Sequence, residues 1–372
     1  MAGSYAGEIM GTFPTRAEEV TIAWLEERLR EMNVLSRGRI EDLRWERIGT
    51  GQVGDSIRFS IRYDRDGDGP ATLVGKFPSS DATSRQTAAS LGLYTKETRF
   101  YREIRPLLAV RAPECFVAEV DASGAQFILM FEDLGPARIG NQLESCSLSE
   151  ARAAIRQAAA IHAPSWNLPA VVDARWIHRS PEFIAQILEH YPRAHQIFHE
   201  RYDGVLSAEL ARVSNELRDL ATEFMLRKTR DNCFVHGDFR LDNMLFDIKA
   251  GSEPIAILDF QASHVGSGLV DIGFFLGCGV GSSLRRPHER ELLELYCEEM
   301  SRRSVRLDVR DIWDDYCIGA CQGLMQAVFS AAFVQRTERG DQNFLSMAAG
   351  AAELMFDHDS IGVLRSDTRR GG

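Results

Sequence analysis

The sequence predicts an α+β fold in two lobes, a small antiparallel β-sheet lobe over residues 15–133 and a larger, mainly helical lobe over 134–364. Three observations predict it. From Arg44 to Phe131 apolar residues come in short runs, several of them alternating, divided by turns rich in Gly, Pro and Asp. After Gly135 the apolar recurrence changes to three and four residues. At 372 residues the chain has length for two units, given roughly 150 residues per domain. Residues 1–14 and 365–372 are expected to be loose or disordered ends.

Composition narrows the class. Apolar residues make up 44% and charged residues 26%, an ordinary globular balance. The net charge of −11 argues against nucleic acid, whose binding relies on Lys and Arg neutralising phosphates. Seven cysteines contain no CxxC pair, and an odd number fits reduced thiols in a cytoplasm. Cys317 and Cys321 are expected to pack on a helix face. The N-terminus lacks a basic region followed by an apolar run, so no secretion signal is expected. No run of about 18 uncharged apolar residues predicts a membrane span.

Taken in order, Thr15 with Glu18 has the capping-box pattern of a helix start, and Ile22, Leu25, Leu29 and Met32 follow at helical spacing. Gly38 ends that region. A strand from Arg44 leads into Gly49-Thr50-Gly51-Gln52-Val53-Gly54, and Ile57, Phe59, Ile61 and Tyr63 then alternate with polar residues. The pattern G-x-G-x-x-G occurs in dinucleotide folds and in phosphate-covering flaps. A dinucleotide site needs a helix after the glycines, so that its N-terminus meets the pyrophosphate. Here a strand follows, and strand, glycine turn, strand suits backbone amides of Gly49, Gly51 and Gly54 lying over nucleotide phosphates. A plain hairpin is the alternative.

After a turn at Asp66–Pro70, Ala71–Phe77 reads as the next strand and carries Lys76. Gln86–Val110 reads as one helix with Leu93, Phe100, Tyr101, Ile104 and Leu108 on one side. Glu97 falls on that side, where a carboxylate is costly unless paired. A Lys76–Glu97 pair accounts for both residues; a Glu103 pairing, or Glu97 at the edge of the stripe, remains open. Cys115–Val120 and Gln126–Phe131 are two more strands joined by a turn at Asp121–Gly124. Glu132–Pro136 reads as the break between lobes, where Glu132 and Leu134 would offer backbone groups to an adenine edge.

In the helical half Ser147 and Glu150 form a second capping box. His162 ends an Ala-rich helix and is expected to pack. His178, His190, His195 and His199 lack metal-ligand spacing. Leu206–Phe224 reads as one amphipathic helix and 286–357 as helical. Asp311, Asp314 and Asp315, with Trp313 and Tyr316, form either a solvated helix face or part of a substrate cleft.

The segment Phe234–Phe260 carries the chemistry. It reads FVHGDFRLDNMLF, a short loop, then PIAILDF. Apolar, strand-like runs flank His236, Asp238, Asn243 and Asp259, and buried carboxylates need a partner. Three readings fit: phosphoryl transfer, with Asp238 at the acceptor proton and Asn243 and Asp259 on Mg²⁺; a hydrolytic metal site of His236, Asp238 and Asp259; or polar residues capping a hairpin. Asp271, ahead of an apolar helix, reads as an N-cap that bonds the backbone of this loop.

Together these residues resemble the aminoglycoside phosphotransferase/choline kinase superfamily, which has the protein-kinase-like fold. The resemblance rests on Gly49–Gly54, Lys76, Glu97, HGDFRLDN at 236–243 and ILDF at 257–260, in the family's order, and spans roughly residues 40–280. Gln261 after Asp259-Phe260 resembles the ecdysteroid-kinase-like branch. The resemblance implies an ATP- and Mg²⁺-dependent kinase of a small-molecule hydroxyl. Asp238 would be the catalytic base, Asn243 and Asp259 the Mg²⁺ ligands, and Lys76 the phosphate lysine with Glu97 as its partner. Arg240, where protein kinases have a catalytic lysine, would touch the transferred phosphate. His236 and Asp271 would support the loop. Gly237 stands where protein kinases have Arg, and no long activation loop separates Asp259 from Asp271, so a protein substrate is not implied. A nucleotide-binding pseudokinase or scaffold is the alternative, and a nicotinamide oxidoreductase a more distant one.

Overall fold

The computed structural model describes residues 13–49, 54–65, 67–334 and 336–371. Thr50–Val53, and with them Gly51, lie outside the described residues, as do 1–12. The chain divides into two compact units, residues 1–103 with 113–133, and residues 104–112 with 134–372.

The first unit is built on a five-stranded antiparallel sheet in the order β1-β2-β3-β5-β4. Its strands are β1 (Ile40–Gly49), β2 (Gly54–Tyr63), β3 (Thr72–Pro78), β4 (Cys115–Val120) and β5 (Phe127–Glu132). Alternation places Ile57, Phe59 and Ile61 of β2 inside, where they meet Leu73, Phe77, Ile128 and Met130. Leu25 and Leu29 of helix α1 (Ile22–Glu31) join the same core, the face set by their four-residue spacing.

The structure departs from three expectations in this unit. Thr15 does not cap α1: its backbone N–H and its hydroxyl both bond Glu19 at the head of a single 3₁₀ turn. Thr21 is the cap, its hydroxyl accepting from the Trp24 amide at 3.2 Å. The N-terminus is not loose up to residue 14, since Pro14 is buried and Phe13 packs on the core. The helix expected over 86–110 is two helices, α2 (Ala82–Ser90) and α3 (Leu93–Arg99), followed by a π turn and a 3₁₀ turn. Gly92 lies between them at φ +65°, a left-handed conformation that glycine adopts without a Cβ penalty.

The second unit carries β6 (Arg138–Ile139) and helices α4 (Leu148–Ser165), α5 (Pro169–Val172), α6 (Pro181–Arg201), α7 (Ala208–Asp219) and α8 (Ala221–Met225). The Ser147–Glu150 capping box forms as expected. The helix expected through 206–224 is instead broken at Leu220, where φ is −112°. Next come β7 (Cys233–Val235), β8 (Met244–Asp247), the left-handed turn α9 (Ile248–Gly251), β9 (Glu253–Ile257) and β10 (His264–Gly266). Strands β6, β8 and β9 form one small sheet, while β7 pairs with β10. The chain ends in α10 (Leu269–Phe274), α11 (Ser282–Arg302), α12 (Val309–Gly319), α13 (Cys321–Phe333), α14 (Glu338–Asp357) and α15 (Ser360–Gly371).

Up to Gly371 the tail expected to be disordered is therefore helical. Leu364 is fully buried, and Asp367 pairs with Arg227 at 2.7 Å. Arg227 also pairs with Asp315, so that member of the acidic cluster has a cation rather than open solvent. Tyr316 is buried, with its hydroxyl on Glu289. Cys317 and Cys321 are both buried and unpaired with any thiol. Among the described residues Val309–Phe333 alone is long and apolar enough to cross a membrane, and 72% of its most apolar window is buried within the fold.

Gly273 lets α10 approach α12 closely: a Cβ there would lie 2.6 Å from the Ala320 amide nitrogen and 2.7 Å from the Tyr316 carbonyl oxygen. Backbone cannot yield as a side-chain tip can. Gly273→Ala is expected to destabilise by about 1–3 kcal/mol, read as a lower Tm. An unchanged Tm would show that the two helices slide apart freely.

Candidate active site

The groups singled out in the first unit converge on Lys76. In β3 it stands opposite Ser56 of β2, and Gly54, the last glycine of the expected flap, pairs with Pro78. Gly49 ends β1, so the glycine segment does join two paired strands. The Lys76 Nζ lies 2.8 and 2.7 Å from the two Glu97 carboxylate oxygens. Glu97 comes from α3, and its side chain is 2% exposed. Glu103, the competing partner, pairs with Arg99 instead. An isolated carboxylate this deep would be strongly disfavoured, so the pair explains both why Glu97 sits on an apolar face and why Lys76 is held in one direction. Glu132 extends β5 and bonds Glu114, its amide to the Glu114 carbonyl and its carboxylate to the Glu114 amide.

In the second unit Leu134 is buried against Ile248 and Ala256, and its carbonyl accepts from the Lys249 amide. Strand β7 delivers the chain to His236, and the loop 236–243 is then folded around Asp271. One Asp271 carboxylate oxygen accepts the His236 amide at 2.7 Å, and the other accepts the Gly237 amide at 2.9 Å. His162 adds a third contact, Nε2 to Asp271 at 3.2 Å, while its Nδ1 lies 3.0 Å from the Tyr296 hydroxyl. All of Asp271, His162 and His236 are buried. Asp271 is thus not the N-cap of α10, which is Gly268, but it does hold the loop backbone.

Gly237 adopts φ +81°, and a Cβ would lie 2.4 Å from the Ala262 carbonyl oxygen. A longer residue cannot stand here, which accounts for the glycine in place of the protein-kinase arginine. His236 has both ring nitrogens committed, Nε2 to the Leu258 carbonyl at 2.9 Å and Nδ1 to the Asp238 amide at 3.3 Å. A neutral Nε2–H tautomer satisfies both contacts. With those partners the ring is a brace for the loop, and the reading of His236 as a metal ligand loses its donor atom. Among the described residues no group of three or more His, Cys, Asp or Glu has metal-binding geometry.

Asp238 is held from several sides. Asn243 Nδ2 donates to its Oδ2 at 2.8 Å and to its backbone carbonyl at 2.8 Å. Arg240 Nε lies 3.0 Å from Oδ1 and 3.2 Å from Oδ2. Gln326 Nε2, from α13, donates to Oδ1 at 2.7 Å. Burial alone would push the carboxyl up. The charge of the Arg240 guanidinium and the Asn243 and Arg240 hydrogen bonds outweigh it, so its pKa falls below the usual carboxylate range. Asp238 is therefore ionised at neutral pH and can accept a proton or orient a hydroxyl.

Arg240 also pairs with Asp242 at 2.8 Å. Its guanidinium is disfavoured by burial, yet the two carboxylates raise its pKa above the ordinary value. As placed, Arg240 serves two carboxylates of its own loop. Asp242, which sequence reasoning passed over, is a junction: it also accepts the Gln142 amide at 3.0 Å, Arg339 at 3.3 Å and Asn343 at 3.0 Å. Gln326 was missed as well. Its signal was present in two amides four residues apart, Gln322 and Gln326, on a helix whose other residues are apolar or small.

The loop is suited to a hard divalent cation. Because the Asn243 Nδ2 is engaged with Asp238, its oxygen is the atom left to meet a metal. Asp259 follows β9 and adopts φ +62°, a strained backbone for a non-glycine residue and one concentrated at functional sites. An amide oxygen and a carboxylate are the donor chemistry that Mg²⁺ takes.

Residues 53–308 match the family model of the ecdysteroid kinase-like family. No curated protein matches the chain. Among solved structures, a putative aminoglycoside phosphotransferase from Ralstonia eutropha is similar at 16% identity and a TM-score of 0.54, covering 90% of this chain and 97% of that one. The aminoglycoside 2′-phosphotransferase-IIIa, solved with GDP, is similar at 14% identity and a TM-score of 0.53, covering 89% and 98%. A microcompartment-associated aminopropanol kinase is similar at 17% identity and a TM-score of 0.50, covering 92% and 99%. At these identities the likeness is one of fold, a protein-kinase-like α+β fold.

Proposed function

The chain belongs to the ecdysteroid kinase-like family, and from that premise we propose that it is an ATP-dependent kinase transferring the γ-phosphate to a hydroxyl of a small, non-protein acceptor. The observation that supports this most is the Asp238 carboxylate held by Asn243, Arg240 and Gln326. The acceptor hydroxyl oxygen attacks the γ-phosphorus, the bond to the β–γ bridging oxygen breaks, and the hydroxyl proton passes to Asp238. Little covalent work falls to the protein in such a transfer; positioning and charge neutralisation dominate.

Asn243 and Asp259 are the residues that would hold Mg²⁺. Bound there, the ion offsets the negative charge shared among the phosphoryl oxygens. Lys76, directed by Glu97, is the cation for the α- and β-phosphates. The glycine segment 49–54 supplies backbone amides, and Glu132 and Leu134 remain the candidates for the adenine edge. Arg240 acts on Asp238 and Asp242, and a direct contact to the transferred phosphate is a further role proposed for it. The seven free cysteines favour a reducing compartment such as the cytoplasm. The acidic chain favours a small-molecule partner over nucleic acid.

The structural neighbours are kinases named for aminoglycosides and for an amino alcohol, so the test is a screen. ADP release from MgATP is measured across a library of hydroxyl compounds. A compound that raises ADP release and gains a phosphate supports the reading. A MgATP-induced rise in Tm with no turnover on any compound favours a nucleotide-binding scaffold instead. Lys76→Ala is expected to lower kcat/KM for ATP by about a hundredfold, comparable with removing one preorganised donor. An unchanged value removes Lys76 from the nucleotide site.

A further inference from the structure

The Asp238 carboxylate is crowded with donors. Its Oδ2 accepts from Asn243 at 2.8 Å and lies 3.2 Å from Arg240 Nε, while Oδ1 accepts from Gln326 at 2.7 Å and lies 3.0 Å from the same Nε. The single Arg240 Nε–H is shared between the two oxygens, so three donors spread over about four lone-pair sites, and an incoming hydroxyl competes with a donor for its place. Asn243 is anchored a second time, to the Asp238 carbonyl. Arg240 is anchored to Asp242 and is charged, and charge on both partners makes its bond to Asp238 the stronger one. Gln326 is neutral, comes from a different helix, is only partly buried, and has its amide oxygen met by Gln322 at 3.3 Å. It is the donor that gives way. It also lies beyond residue 308, where the family match ends.

We propose that Gln326 is a specificity-determining residue that caps the Asp238 oxygen until an alcohol displaces it, and so keeps water from serving as the acceptor. The inference rests on Asp238 being the base of a kinase. In the unwanted reaction a water oxygen bonds the γ-phosphorus, the bond to the β–γ bridging oxygen breaks, the water proton goes to Asp238, and ADP and inorganic phosphate leave. Water is small and binds few other groups, so it gains little with which to displace the amide. An acceptor that makes contacts elsewhere can spend part of its binding energy on that displacement.

The test uses the full-length protein with MgATP and no acceptor. Gln326→Leu keeps nearly the same size and cannot donate. ADP and phosphate release is expected to rise about tenfold over the unsubstituted protein, the factor of one lost hydrogen bond to a charged group. The double variant Gln326→Leu/Asp238→Asn is expected to lose that rise. If folded Gln326→Leu releases ADP no faster, or if the rise persists in the double variant, the capping role is wrong. Gln326→Met serves in the same way should the leucine variant fail to fold. The kinase reading is read separately: if MgATP leaves the Tm of the unsubstituted protein unmoved and no hydroxyl compound is phosphorylated, that reading fails, whatever Gln326 does.

Discussion

Asp238→Asn is expected to lower kcat for hydroxyl phosphorylation by about a thousandfold, the scale of losing a positioned general base. The substitution keeps the shape and removes the charge. It also turns donors against a donor. Asn243 Nδ2, Arg240 Nε and Gln326 Nε2 all point at the Asp238 carboxylate, and an amide in its place can accept through only one atom. MgATP should still raise the Tm of the variant, because the phosphate groups are expected to rely on Lys76 and on the oxygens of Asn243 and Asp259. Turnover within a few-fold of the unsubstituted protein would remove Asp238 from the chemistry. Loss of the MgATP shift along with turnover would mean that the loop had collapsed, and the result would then speak about folding.

The second large effect is expected at Asp271. Its carboxylate accepts the His236 and Gly237 amides and meets His162, all in a buried setting. Asp271→Ala leaves two buried N–H groups without acceptors and takes one of the two partners described for His162. A loss of about 3–5 kcal/mol is expected, and kcat should fall with it because those two amides set the start of the loop that ends in Asn243. Asp271→Asn can satisfy one amide but presents NH₂ to the other, so it should fall between the two. A Tm within about 2 °C of the unsubstituted protein in Asp271→Ala would show that the loop holds its shape without that carboxylate.

Much of this was legible in the chain. The strand–glycine–strand order could be read from the alternation that follows the glycines, and Lys76 in the third strand and Glu97 on an apolar helix face because each is a local anomaly: a charge where the pattern calls for a hydrophobe. Asp271 reads as an N-cap that also bonds the loop backbone, and only the second half of that reading holds. Where sequence reading failed, the cause was geometry that spacing does not encode. Gly92 adopts a left-handed conformation that ends a helix inside an unbroken apolar stripe, and Leu220 ends another. Thr15 and Thr21 carry the same capping chemistry, and only the fold selects Thr21. The tail 365–372 looked polar and loose, yet Asp367 has Arg227 to meet. Gln326 was missed because Asp238 lies far along the chain from it, and the junction at Asp242 because Gln142, Arg339 and Asn343 do, although Arg240 is local.

Asp238 and Asp242 are held in part by Gln326, Arg339 and Asn343, all of them later in the chain than the segment that matches the family model. Grafting residues 236–261 into a related scaffold would therefore transplant the acidic groups without their wardens. A working chimaera has to exchange α13 and α14 along with the loop, and libraries meant to redirect acceptor choice belong on those two helices as much as on the motif itself.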